Sequence, residues 1–173
     1  RGVFRRGAGG LSVHGAGVIY AQGSGVVAFG VGAAGSIILD LATVQSAGQA
    51  AIYGGGSADL SITAHGAVTA GTAGEWGILA VGNGTGSVTV NAADVSASGG
   101  VLDALGAGIF GYLVSGTDLA ITSTGTVSGD ASGILAFGQG SGSVTVNAVN
   151  ATGGTYFGIG SLTAPSGTDA FVT

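Results

Sequence analysis

The chain has no cysteine and no methionine, and it has a single proline, Pro165. Lysine is missing too, and only 6% of the residues are charged. Without cysteine there is no disulfide and no thiolate metal site. The three cations, Arg1, Arg5 and Arg6, crowd the N-terminal edge, while eight carboxylates are spread singly along the rest. A net charge of −5 with a pI near 4.3 leaves no basic face for a nucleic acid. The 39 glycines do not recur at every third position, which excludes a collagen helix. A mean hydropathy of +0.63 excludes a disordered linker, because such a chain has apolar surface to hide. The most apolar window, 17–39, is interrupted by glycines and fits a repeat better than a membrane helix.

What the sequence has is self-similarity. GILAVGNGTGSVTVNA at 77–92 returns as GILAFGQGSGSVTVNA at 133–148, with a looser copy, GIFGYLVSGTDLAITS, at 108–123. Related openings stand at Gly25, Ala51 and Gly158. One period of roughly 25 residues, with one insertion around Ser98–Ala107, accounts for nearly the whole chain.

Each period holds two short runs that alternate with period two, separated by Gly/Ser/Thr/Asn turns, as strands do. The first run carries Val26, Ile52, Ile78, Ile109, Ile134 and Ile159, each followed two places on by a small residue. The second carries pairs such as Leu60/Ile62, Val88/Val90 and Leu119/Ile121. A third apolar position, Val18, Val44, Val68, Val95, Val127 and Ala151, completes a roughly triangular coil. One coil cannot bury its apolar residues alone, but coils stacked ~4.8 Å apart bury one another and pair as parallel sheets. The expected fold is therefore all-β, a right-handed parallel β-helix (β-solenoid) of about six coils of roughly 25 residues, the hand following from the crossover rule. Residues 1–9 are expected to form an N-terminal edge or tail and 10–173 the solenoid, an excerpt of a longer array whose open strand edges favour end-to-end association.

The G-I-x-A openings, the G-S-V-T-V-N strands and the T-V-S and D-V-S runs resemble the passenger β-helix of bacterial autotransporters, the type V secreted surface proteins, over residues 10–173. Filamentous-haemagglutinin-like adhesins share the same style. The resemblance implies an extracellular, outer-membrane-tethered protein acting as an adhesin or stalk.

The chemistry-bearing residues add little to that expectation. His14 falls on an outward strand position and His65 in a turn about two coils away, so neither a Ser-His-Asp nor a two-His arrangement follows, and no metal or cofactor is expected. The isolated aspartates, Asp59, Asp94, Asp103, Asp118, Asp130 and Asp169, mostly flank glycines or open strands, where Asp bonds local backbone. Lyases on such folds need clustered carboxylates with a basic residue, absent beyond the N-terminal edge. The expected function is thus a non-catalytic scaffold, not an enzyme, with a non-catalytic segment of a carbohydrate-active secreted β-helix as the alternative.

One feature exceeds scaffolding. The positions of the first strand that alternate with the Ile column are Val27, Phe29, Tyr53, Leu79, Val81, Phe110, Tyr112, Leu135, Phe137 and Leu162. An outward apolar and aromatic stripe marks an interaction surface, for a protein or glycan partner, a second copy or a covering segment.

Overall fold

The computed structural model describes residues 2–30, 35–71, 76–99, 106–163 and 170–173. All regular structure among them is β, and every pairing is parallel. Three of the sixteen strands lie in the first coil and a half: β1 (Val3–Gly7), β2 (Leu11–Ala21) and β3 (Val26–Gly30). They are followed by β4 (Ile37–Ser46), β5 (Ala50–Gly56), β6 (Leu60–Ala64), β7 (Val68–Ala70), β8 (Trp76–Gly82), β9 (Val88–Ala92) and β10 (Val95–Ala97). The C-terminal coils contain β11 (Ala107–Leu113), β12 (Leu119–Gly129), β13 (Ser132–Gly138), β14 (Val144–Gly153), β15 (Ile159–Thr163) and β16 (Ala170–Val172).

The order β1-β3-β5-β8-β11-β13-β15 makes one seven-stranded sheet, in which every neighbour is one coil away. Its register aligns Val26, Ile52, Ile78, Ile109, Ile134 and Ile159, the column expected from the repeat. The second sheet has two arms. The first stacks the opening halves of β2, β4, β12 and β14 with β6, β9 and β16; the second stacks their closing halves with β7 and β10. In β2, β4, β12 and β14 one long strand turns the corner, and in the two coils between β4 and β12 the corner splits it in two, as β6/β7 and β9/β10. The chain is a β-solenoid of triangular coils.

The core is the set of columns facing into the triangle. Val26, Ile52, Ile78, Ile109 and Ile134 are fully buried, as are Leu39, Ile62, Val90, Ile121 and Val146 on the facing arm. The third column holds Val44, Val68, Val95 and Val127, each at most 1% exposed. Here the first coil differs from expectation. A register irregularity between Gly15 and Val18 pairs Ile19, not Val18, with Val44. The extra residue turns Val18 outward, where it is 52% exposed, and Ile19 packs against the core instead.

At the N-terminal edge, residues 1–9 contain a strand of the stack: β1 pairs in register with β3, and Val3 packs on the core. The window 17–39 runs through the end of β2, β3 and the start of β4. Among the described residues no helix is long and apolar enough to cross a membrane. The insertion at Ser98–Ala107 lies largely outside the described residues, at 100–105.

Candidate functional site

The outer face of the seven-stranded sheet is built by strand alternation. With the Ile column inward, the neighbouring positions point out, and register lines them up in two columns. One reads Phe4, Val27, Tyr53, Leu79, Phe110, Leu135, Gly160. The other reads Arg6, Phe29, Gly55, Val81, Tyr112, Phe137, Leu162. The side chain of Leu162 is outside the described set.

Within these columns the rings pack on each other. Phe29 meets Tyr53 edge-to-face with centroids 4.6 Å apart, lying over Gly55, where a Cβ would stand 3.2 Å from the Phe29 ring. Phe110 is the hub of the larger group. It lies 5.7 Å from Phe137 at 90°, and 6.2 Å from Tyr112 and 6.4 Å from Trp76 in near-parallel arrangements. Such pairs contribute about 0.5–1.5 kcal/mol each beyond their buried area, so the rings also brace neighbouring coils.

The stripe expected from the sequence is present, but its members are not equivalent. Phe29, Tyr53, Val81, Phe110, Tyr112, Phe137 and Val27 are half-buried. Leu79 and Leu135 occupy outward positions yet are only 7% and 3% exposed. Leu79 sits in register between Tyr53 and Phe110, and Leu135 lies beside Phe157 over Gly160. These two leucines are the floor of the patch, and the rings are its surface.

Three contributors escaped the sequence reading. Phe4 continues the first column one coil further, a step of 23 residues that the 25-residue period obscured. Trp76 precedes the first strand's repeat motif, just before Gly77-Ile78, so the alternation did not include it. Phe157, 54% exposed, stands in the turn before β15.

A second group lies on the opposite sheet. Asp40 in β4 accepts from both histidines: His14 Nδ1 is 3.2 Å from its Oδ2 and His65 Nε2 is 2.7 Å from its Oδ1. His14 Nε2 is in turn 2.6 Å from Ser12 Oγ. The sequence placed the histidines about two coils apart; Asp40 occupies the coil between and joins them. The two hydrogen bonds, first from His65 and then from His14, hold the Asp40 carboxyl below the ordinary aspartate value. An ionised carboxylate only accepts, so the neutral His14 carries its proton on Nδ1 and Nε2 accepts from Ser12.

Hydroxyl, imidazole and carboxylate are thus connected as in a nucleophile relay. Acyl transfer needs more, a cleft that holds the acyl group and donors aimed at the oxyanion. The groove at this cluster, about 220 Å³, is walled by His14, Gly15, Ala16, Asp40, Ala42 and His65, and Ser12 lies outside it. Among the described residues no group of three or more His, Asp and Glu side chains is arranged to hold a metal ion.

The remaining aspartates staple corners. Asp59 Oδ1 accepts from the backbone N–H and hydroxyl of Ser87 in the next coil (2.9 and 3.0 Å), and Asp118 does the same for Ser143 (3.0 and 2.7 Å). Asp94 Oδ1 accepts from the Thr126 N–H at 2.8 Å. The bonds from Ser87 and Ser143 lower the Asp59 and Asp118 carboxyls. The side chain of Asp130 has no such role, whereas its carbonyl accepts from Thr155 Oγ1. Asp103 and Asp169 lie outside the described residues.

No protein-family model, curated protein or solved structure matches the chain.

Proposed function

We propose that the chain is a non-catalytic extracellular β-solenoid scaffold or stalk of a bacterial surface protein, adhesin-like, that makes its principal contact through the aromatic face of the seven-stranded sheet. The observation that carries this reading is the cluster of Trp76, Phe110, Tyr112 and Phe137 on an outward face, where solvent-facing strands are ordinarily polar. Rigid rings bury large area with little entropy loss, which makes them effective anchors. Support for the scaffold part comes from the stack itself, whose corners are stapled by Asp59, Asp94 and Asp118 to the following coils. The cell-surface setting follows from the resemblance to autotransporter passengers.

The test is the triple variant Phe110→Ser/Tyr112→Ser/Phe137→Ser. Beads coated with the chain are assayed for clumping with one another and for attachment to protein-coated surfaces. The variant keeps its circular dichroism and cooperative unfolding and loses whichever contact the parent shows. If it folds and adheres like the parent, the aromatic face is not the contact surface. If it does not fold, the rings belong to the stabilising core.

A further inference from the structure

The third face of the triangle, formed by the closing halves of β2, β4, β12 and β14 with β7 and β10, has a chemistry unlike the aromatic sheet. Its outward column reads, in register, Tyr20, Gln45, Thr69, Ser96, Ser128 and Thr152. All six can hydrogen-bond and none is charged. Toward the first coil this face is hollowed into a groove of about 420 Å³, with Tyr20, Gln22, Gln45, Ser46 and Thr69 supplying polar groups and Ala21 and Ala47 the apolar walls. A second groove, about 250 Å³, continues from Thr69 past Ser96 to Ser128; Asp94 also lines it, with its Oδ1 accepting from the Thr126 N–H, so the uncharged stretch is the outward column and the first groove. Thr69 is common to both, so the depression runs along the stack.

Ser46 is an anomaly within this groove. Its register column reads Ala21, Ser46, Ala70, Ala97, Gly129, so it is the one residue there with a polar side chain. Ser46 is 7% exposed and its Oγ has no hydrogen-bond partner. Ser132 and Ser161 are likewise unpartnered but wall neither groove. Burying an unpaired hydroxyl is costly, and alanine serves at the neighbouring positions without that cost. Ser46 shares the inward parity of Val44 in β4, so its hydroxyl lies beneath the groove, and the outward column supplies the side chains that a ligand meets.

We propose that this face binds a neutral oligosaccharide lying along the stack. Hydroxyls and amides both donate and accept, which matches the hydroxyls of a sugar. Tyr20, 65% exposed, offers an apolar ring with a polar tip for the mixed faces of a pyranose. Among the described residues lining the first groove there is no cation to favour an acidic ligand and no carboxylate to favour a basic one. The net charge of −5 also repels acidic chains. A hydrogen-bonding group recurring once per coil, ~4.8 Å apart, suits a polymer of repeating units, since weak contacts on linked units add to avidity. This surface is separate from the aromatic sheet, and its occupancy does not depend on the contact proposed there.

Saturation-transfer difference NMR tests the assignment, with maltohexaose, xylohexaose and chitohexaose as neutral probes and hexagalacturonate as the acidic one. The expected result is transfer to at least one neutral hexasaccharide. Affinity for it falls by about tenfold or more in Tyr20→Ala/Gln45→Ala and is unchanged in Phe110→Ser/Tyr112→Ser/Phe137→Ser. Thr69→Val removes one hydroxyl with the strand's shape retained and lowers affinity in the same direction, which covers the case in which the double variant does not fold. The proposal is overturned by transfer to no neutral probe, by transfer to the acidic probe alone, by equal binding in the Tyr20/Gln45 and Thr69 variants, or by binding lost with the aromatic triple instead.

Discussion

Replacing Gly111 with alanine tests how the interior of the solenoid is filled. In the seven-stranded sheet the residue two places after the buried Ile alternates Gly54, Ala80, Gly111, Ala136. The pair it faces alternates in step: Leu60/Ile62, Val88/Val90, Leu119/Ile121, Val144/Val146. A Cβ at Gly54 would stand 2.9 Å from Leu60 Cδ1 and 3.1 Å from Ile62 Cδ1; at Gly111 it would stand 2.9 Å from Ile121 Cδ1 and 3.0 Å from Leu119 Cδ1. In these four coils glycine therefore faces the longer Leu and Ile and alanine faces valines, so each level fills a similar volume; in the preceding coil, Ala28 faces Ile37 and Leu39 and the smaller Val26 takes the place of the Ile. Overpacking costs about 1–3 kcal/mol. Gly→Ala returns about 0.4–1 kcal/mol by restricting the unfolded chain, so Gly111→Ala alone should destabilise by roughly 1–2 kcal/mol. Leu119→Val/Ile121→Val alone leaves a void and costs about 1–3 kcal/mol. Together the three changes recreate the arrangement of Ala80 with Val88 and Val90, and the new methyl fills the vacated space. Urea unfolding followed by far-ultraviolet circular dichroism should show a favourable coupling of about 1–2 kcal/mol. Additivity within about 0.5 kcal/mol would refute compensation between the two strands.

Three further outcomes follow from the geometry. Ile109→Asp or Val146→Asp places an unpaired charge at a fully buried position, costs several kcal/mol and should abolish the β-sheet dichroism; unchanged thermal unfolding of either would contradict the inward facing. Asp59 and Asp118 have carboxyls lowered by bonds from Ser87 and Ser143, so their contribution is complete above the ordinary value of 3.8 and is lost as pH falls through the lower folded value. Both lie near solvent, so each contributes less than about 1 kcal/mol; Asp59→Asn/Asp118→Asn should flatten the acid limb of the melting-temperature profile, and an identical limb would remove the staples from the account. On the edge strand β1, Arg5 shares the register position of Ala28 in the inward column, a charge that discourages another coil from stacking there. Arg5→Val should increase end-to-end association in light scattering, and equal scattering from both proteins would show that Arg5 does not guard the edge.

The fold was legible because the stack converts sequence period directly into register. Ile78, Ile109 and Ile134 can be aligned by eye, and the structure pairs those same residues. Reading failed where the period was locally broken. The extra residue before Val18 moved the third column to Ile19, and nothing in Gly15-Ala16-Gly17-Val18-Ile19 states which branched residue turns inward. The short first step hid Phe4 and the true reach of the stack at Val3, since a 25-residue rule places the preceding coil at the wrong phase. The residue before the second strand alternates Asp59, Ser87, Asp118, Ser143, which keeps like charges out of adjacent coils. The physical content of this alternation is a bond from each Asp to the Ser of the following coil, which requires knowing that the corner N–H of Ser87 and Ser143 lies within reach.

The sites were less legible than the fold because they depend on which side chains share a face across coils, a relation that spacing alone leaves ambiguous. The register partner of Asp40 in the next coil is Thr63, and its bond to His65 reaches past that partner to a corner residue. The same holds for Trp76, which shares a register column with the small Ala50 and Ala107 yet whose ring reaches Phe110. A stacked coil presents three outward faces at once, and each can take its own chemistry without disturbing the columns inside: rings on one sheet, the His14–Asp40–His65 chain on the second, neutral hydroxyls and amides on the third. Because the core of every level is filled by its own Ile, Val and Leu set, changes on one face are energetically separable from those on the others. Substitutions at Phe110 and at Tyr20, on different faces, should therefore add independently in both stability and binding, and a coupling between them larger than about 0.5 kcal/mol would mean that the faces communicate through the core.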